Sequence, residues 1–189
     1  MSNNILKNTE NSYGLIAIVF HWLMAISLFS LFGLGLYMVE LTYYDAWYKG
    51  SLDLHKNIGM TLFVALMLRI VWRVVNVTPK NADKSASEIE VKAAHYAHLA
   101  LYGLMVVLMI SGYLISTADG RAIDVFGLLS IPALPIGFAN QEDIAGIIHE
   151  VLAWSLILLS AGHALAALKH HFINKNDTLV RMVKVQPRK

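Results

Sequence analysis

Four apolar stretches dominate the sequence, and each is long enough to cross a membrane as a helix. They cover about residues 14–38, 54–75, 93–116 and 144–171. Runs of this length do not suit the core of a soluble domain, and only 15% of the 189 residues are charged. A helix satisfies its own backbone hydrogen bonds in lipid. The sequence therefore predicts an all-α membrane protein, a four-transmembrane-helix bundle forming a single domain over residues 1–189.

The distribution of lysine and arginine predicts the orientation of these helices. The 76–93 segment and the tail 172–189 are basic, whereas the loops 39–53 and 117–143 carry one basic residue each, Lys49 and Arg121. The positive-inside rule then places both termini in the cytoplasm. The net charge of +2 comes from these flanks and gives no indication of a nucleic-acid partner.

His149 and His163 lie inside the last apolar stretch. They are 14 residues apart, which is nearly four turns, so both imidazoles leave the same face of one helix. At about 1.5 Å per residue they are separated by roughly 21 Å along the axis, one toward each side of a bilayer. An ionisable side chain is costly within a membrane unless it has a partner or a ligand. The helix is therefore expected to contribute to two buried sites.

Two other histidines match these depths. His21 lies toward the cytoplasmic end of helix 1, as His163 does in helix 4, and His55 lies toward the outer end of helix 2, as His149 does in helix 4. The sequence contains no cysteine, which excludes covalent haem attachment and Cys-ligated metal. Each pair is predicted to hold the iron of one non-covalent haem b, the inner by His21 and His163 and the outer by His55 and His149. Haems with two axial histidines transfer single electrons.

The histidines also allow other interpretations. The zinc-protease motif H-E-x-x-H begins at His149 but fails at Ala153. A proton relay would need carboxylates, and the apolar stretches hold almost none. His21 could also form an interfacial pair with Trp22, and all four histidines could be satisfied groups of a purely structural protein.

Three residues of helix 2 are further candidates. Arg69 and Arg73 are four apart on one face and suit either haem propionates or ordinary anchoring at the membrane surface. Gly59, one turn after His55, would leave room for a flat ligand or for a neighbouring helix.

The sequence resembles the bacterial cytochrome b561 family over nearly its whole length. The resemblance rests on FHW at His21, LHK with Gly59 at His55, IHE at His149 and GHA at His163, and on LKHHF followed by NDTLVRM. It implies a multi-pass protein of the cytoplasmic (inner) membrane that holds two b haems by bis-histidine ligation and exchanges electrons with ubiquinone. One branch of the family oxidises superoxide on the periplasmic side.

Two classes of function follow from these predictions. The first is a superoxide:quinone-type oxidoreductase, and the second is a non-catalytic haem carrier that docks a periplasmic redox protein. Candidate residues for a quinone site are His95, His98, Lys169, His170 and His171, of which the last three also suit a basic membrane-edge anchor. Candidate residues for attracting superoxide are Lys49, Lys56 and Arg121.

Overall fold

The computed structural model describes residues 5–83 and 86–185. Its elements are α1 (Leu15–Val39), α2 (Tyr48–Val75), α3 (Glu88–Ser116), β1 (Ile123–Val125), β2 (Leu129–Ile131), α4 (Gln141–Phe172) and α5 (Val180–Val183). Within this part of the chain, α1 to α4 are each long and apolar enough to cross a membrane. The predicted all-α class with four membrane-spanning helices is confirmed. The last four residues of the predicted basic tail lie outside the described residues.

The surfaces of these helices are apolar. Four large apolar side chains are more than half exposed: Val19 and Ile26 of α1, Val71 of α2 and Leu158 of α4. Large apolar patches of this kind are rare on soluble monomers. In the hydrocarbon of a bilayer such side chains carry no hydration cost. The exposed surface is therefore the lipid-facing surface of a membrane protein.

Three of the long helices begin earlier than the apolar stretches indicate. Helix α3 begins at Glu88, five residues before the predicted start, because Ser87 and Glu90 form a capping box. The Ser87 backbone N–H donates to Glu90 Oε2 at 3.0 Å, and the Glu90 N–H donates to Ser87 Oγ at 3.3 Å. Helix α2 begins at Tyr48, so the end of the predicted 39–53 loop is its first turn. The first turns of these helices are polar, so the apolar stretches do not reveal where the helices begin.

An antiparallel hairpin interrupts the predicted 117–143 loop. Strands β1 and β2 pair Ile123 with Ile131 and Val125 with Leu129. Two successive left-handed residues make the turn, Phe126 with φ 53° and Gly127 with φ 68°. This is the geometry that matches the twist of a hairpin.

The segment after the hairpin is fastened to α3 by Tyr113. Its hydroxyl donates to the Pro132 carbonyl at 2.8 Å and accepts from the Leu134 N–H at 2.9 Å. At the turn of the hairpin, the Phe126 N–H donates to Asn57 Oδ1 of α2 at 3.1 Å. The loop therefore has defined hydrogen bonds to two helices.

The chain divides into two compact units, each containing a segment of every long helix. Unit 1 takes the described residues of Met1–Ala25, Ala65–Ala100 and Leu159–Lys189, and unit 2 takes Ile26–Val64 and Leu101–Leu158. Met24 and Leu66 are almost completely buried in unit 1, and Leu156 is almost completely buried in unit 2. Each unit thus has its own apolar core, while the single domain remains a prediction.

Within unit 1, the segments before α1 and after α4 both contact the connection between α2 and α3. Lys80 Nζ lies 2.5 Å from Glu10 Oε2, and Arg181 Nη1 donates to the Lys80 carbonyl at 3.0 Å. The indole N–H of Trp22 donates to the Met182 carbonyl at 2.6 Å, which joins α1 to α5. The tail, up to residue 185, is therefore held against the helices that carry the first of the predicted sites.

Candidate functional site

Unit 1 brings His21 of α1 together with His163 of α4. Their ring centroids are 6.3 Å apart, and both side chains are partly buried. This is one of the two pairs expected from the sequence, and it is called the first histidine pair below.

A guanidinium group lies beside the first histidine pair. Arg69 Nη2 is 3.2 Å from His21 Nδ1, and Arg69 Nη1 is 3.4 Å from the Phe20 carbonyl oxygen. Because a guanidinium can only donate, His21 Nδ1 is the acceptor in this contact. Arg73, the other predicted propionate partner, lies one turn further along α2 and is exposed.

His98, a predicted quinone-site candidate, lies beside His163, a contact that the sequence did not predict. Its ring centroid is 5.1 Å from that of His163. His95, predicted to act with it, is exposed and has its ring against Tyr96. The two histidines of α3 therefore have different surroundings, and only His98 contacts the first histidine pair.

Unit 2 contains the second histidine pair, His55 of α2 and His149 of α4, with ring centroids 6.2 Å apart. His149 Nδ1 lies 3.1 Å from the Leu108 carbonyl oxygen and 3.1 Å from Ser111 Oγ. A carbonyl only accepts, so Nδ1 carries the hydrogen and Nε2 keeps its lone pair for a metal. His55 Nδ1 is buried and has no hydrogen-bond partner among the described residues.

Two glycines border the rings of this pair. A Cβ on Gly35 would lie 3.5 Å from His55 Cε1, and a Cβ on Gly112 would lie 3.1 Å from His149 Cε1. A Cβ on Gly59 would meet no atom within 4 Å. The glycine in contact with His55 is therefore Gly35 of α1, while the role predicted for Gly59 remains a prediction.

The separation within each pair suits axial ligation of one iron. A metal–nitrogen bond of about 2.0 Å on each side, plus about 1.2 Å from each nitrogen to its ring centre, gives centroids about 6.4 Å apart. The observed 6.3 and 6.2 Å agree with this value. In residues 5–83 and 86–185, no three His, Cys, Asp or Glu side chains form a group that could hold a bare ion. The two histidines of each pair would therefore fit a haem, which would supply one-electron chemistry.

The remaining candidates for a quinone site have separate partners. Lys169 Nζ is 2.5 Å from Glu90 Oε1, and His170 Nδ1 is 3.2 Å from the buried carboxylate of Asp83. His171 Nδ1 lies 3.4 Å from a backbone carbonyl oxygen, that of Asn176. These contacts are consistent with a helix end that is held in place by its neighbours as well as with a quinone-binding site.

Two of the three candidate superoxide-attracting cations are paired with acids. Lys56 Nζ is 3.2 Å from Asp53, and Arg121 Nη2 is 2.5 Å from Asp119. Lys49 is exposed. The local positive charge is thus smaller than the three cations alone would give.

These features define a class: a helical membrane protein whose histidine pairs suit bis-histidine haem. The family described as prokaryotic cytochrome b561 matches residues 12–184, and the chain belongs to this family. It is 49% identical over 176 residues to cytochrome b561 homolog 2 of Escherichia coli (strain K12), covering 93% of both chains.

Two further relatives are more distant. The probable superoxide oxidase CybB of Yersinia pestis is 33% identical over 140 residues, covering 74% of this chain and 77% of the relative. Cytochrome b561 homolog 1 of E. coli (strain K12) is 30% identical over 133 residues, covering 69% and 73%. The chain is therefore a multi-pass membrane electron-transfer protein of a family that uses b-type haem.

Proposed function

We propose that the chain transfers single electrons across the bacterial inner membrane through two b haems, one held by each histidine pair. The observation that carries this proposal is the separation of the imidazoles, 6.3 Å in unit 1 and 6.2 Å in unit 2. When bound, the haems supply one-electron oxidation and reduction. The protein holds the rings, fixes the tautomer of His149 through the Leu108 carbonyl oxygen and surrounds the pairs with apolar side chains, which keep water from the sites.

The termini and the middle connection are placed in the cytoplasm by the lysine and arginine distribution. In this orientation the second histidine pair serves a donor on the periplasmic side, and the first pair serves ubiquinone. His98, in contact with His163, is the quinone-site candidate with a direct link to a histidine pair. A reporter that is active only in the cytoplasm should be active when it is fused to the C-terminus. Activity of a C-terminal reporter that works only in the periplasm would contradict the orientation.

Haem content tests the paired sites. Wild-type protein should contain two b haems per chain by pyridine haemochrome, and His149→Ala and His163→Ala should each contain one. His95→Ala is the matched control, because this histidine is exposed and should leave both haems in place. Full haem content in both ligand variants would show that the assignment is wrong.

The donor has two candidates. Superoxide is suggested by the name of the Yersinia pestis relative, described as a probable superoxide oxidase. The alternative is a carrier that docks a periplasmic redox protein, and it is favoured by the acid partners of Lys56 and Arg121, which weaken attraction of an anion. Superoxide added to purified protein should reduce haem directly under the first proposal. Reduction that requires an added redox protein would support the second.

A further inference from the structure

The two histidine pairs have surroundings of different polarity. We infer that the surroundings of His149 lower the reduction potential at the second pair, whereas Arg69 raises it at the first. At equilibrium, an electron that can occupy either site is therefore found mainly at the first pair. This inference rests on the proposed function, in which each pair holds one haem.

At the second pair, α3 supplies no predicted ligand but supplies two acceptors. The His149 Nδ1–H faces the Leu108 carbonyl oxygen and Ser111 Oγ, each at 3.1 Å. Ser111 directs its own hydroxyl hydrogen to the Leu108 carbonyl at 2.7 Å, so its oxygen is left to accept from His149. The serine is buried, with 3% of its surface exposed, so water does not compete for this contact.

These acceptors change the imidazole as a ligand. Drawing the hydrogen away from Nδ1 makes Nε2 a stronger electron donor, which favours the oxidised form of a bound iron. Gly35 and Gly112, which border the two rings, carry no charge. The hydrogen bonds of His149 should therefore lower the reduction potential at the second pair.

At the first pair the effect has the opposite sign. A neutral His21 that binds iron through Nε2 carries its hydrogen on Nδ1, so it cannot also accept from Arg69 at 3.2 Å. Arg69 keeps the Phe20 carbonyl oxygen as an acceptor at 3.4 Å, and its guanidinium would also suit the carboxylates of a haem. A cation beside the first pair disfavours the oxidised site, which carries one more positive charge than the reduced site. Arg69 should therefore raise the potential at the first pair.

The electron balance sets a direction. One electron leaves the second pair and one arrives at the first, with no proton or bond exchanged between them. A reductant that meets unit 2 is therefore required as the source, and an acceptor that meets unit 1 is required as the sink.

Potentiometric titration with optical detection tests this inference. Haems are assigned to the pairs from the single-haem variants His149→Ala and His163→Ala. Wild-type protein should show the lower potential at the second pair. Ser111→Ala should raise that potential alone, and Arg69→Gln should lower the potential of the first pair alone. Each shift is expected to be up to about tenfold in the equilibrium constant of reduction, or about 59 mV for one electron.

Conservative variants separate tuning from loss of structure. Ser111→Thr and Arg69→Lys keep the hydroxyl and the charge and should return the potentials toward wild type. Ser155→Ala is the matched control for the serine, since the Ser155 hydroxyl donates to its own helix carbonyl, Val151, at 2.7 Å. Arg121→Gln is the control for the arginine.

The outcomes are distinguishable. Two haems with equal potentials, or with the second pair higher, would overturn the inference and leave the proposed function intact. Unchanged potentials in both Ser111→Ala and Arg69→Gln would also overturn it. Absence of haem from wild-type protein would instead remove the proposed function, and this inference with it.

Discussion

Gly112 lies so close to His149 that a Cβ at this position would be 3.1 Å from the ring Cε1 and 3.3 Å from Nδ1. Contacts this short force one of the groups to move. The glycine follows Ser111, whose hydroxyl contacts the same imidazole nitrogen. One turn of α3 therefore fixes the position of a ring that belongs to α4.

Gly112→Ala should reduce haem occupancy of the second pair and leave that of the first unchanged. The added methyl group requires the His149 ring to shift by a few tenths of an ångström, which strains its hydrogen bonds to Leu108 and Ser111 and its orientation as a ligand. Haem content and the reduced-minus-oxidised spectrum measure this effect. Gly103→Ala, also in α3, is the matched control, because a Cβ there would meet no atom within 4 Å. Equal haem content in the two variants would contradict the prediction.

Trp22→Phe should loosen the C-terminal segment of unit 1. The substitution removes the hydrogen bond from the indole to the Met182 carbonyl, a contact worth about 1 kcal/mol, or roughly fivefold in the opening equilibrium. Hydrogen exchange of α5 should rise accordingly. Trp72→Phe is the control, because the indole N–H of Trp72 has no hydrogen-bond partner among the described residues. If α5 exchanges equally fast in both variants, the indole contact does not hold the tail.

Ser87→Ala should destabilise the first turn of α3 by about 1 kcal/mol, the usual cost of losing an N-cap. The turn lies outside the apolar stretch and depends on its cap, so the effect should be local. Hydrogen exchange of the amides near Glu90 measures it. Lys169→Gln is the comparison, because it removes the partly exposed ion pair to Glu90 and keeps the cap, and such pairs contribute little. A larger effect from Lys169→Gln would show that the ion pair, and not the cap, holds this turn.

If superoxide is the donor, removing the acids that neutralise the candidate cations should accelerate haem reduction. Asp53→Asn and Asp119→Asn together add two positive charges beside Lys56 and Arg121, and steering of an anion should improve severalfold at low salt. Replacing Lys49, Lys56 and Arg121 by neutral residues should slow the reaction. Rates independent of all these charges and of ionic strength would exclude steering by these residues.

The acid partner of Arg121 should remain charged well below neutral pH. Hydrogen bonds from Arg121 hold the pKa of Asp119 below its ordinary value. The stabilisation from this pair is therefore fully present above the ordinary pKa of aspartate and is lost only as the pH falls through the lowered folded value. Titration of the Asp119 carboxyl, followed by carbon NMR, should have its midpoint below the ordinary pKa of aspartate. A midpoint at the ordinary value would contradict the pairing.

The sequence predicted the two histidine pairs because ionisable residues in apolar stretches are conspicuous and helical spacing fixes their depth. It could not predict the groups around the second pair. Leu108 acts through its backbone carbonyl, and the contacts of Ser111 and Gly112 depend on how α3 is rotated against α4. The hairpin at Phe126 and Gly127 was also missed, because phenylalanine is unusual at a left-handed turn position.

Helix α4 gives one histidine to each pair, and it follows α1, α2 and α3 along the chain. A nascent chain that ends before residue 149 has neither pair complete, and one that ends between residues 149 and 163 has only the second. Under the proposed function, haem insertion would therefore follow synthesis of α4, with the second site becoming competent before the first. Until α4 is synthesised, His21 and His55 lie in the membrane without their partner histidines, and each site needs both α4 and the cofactor to become complete.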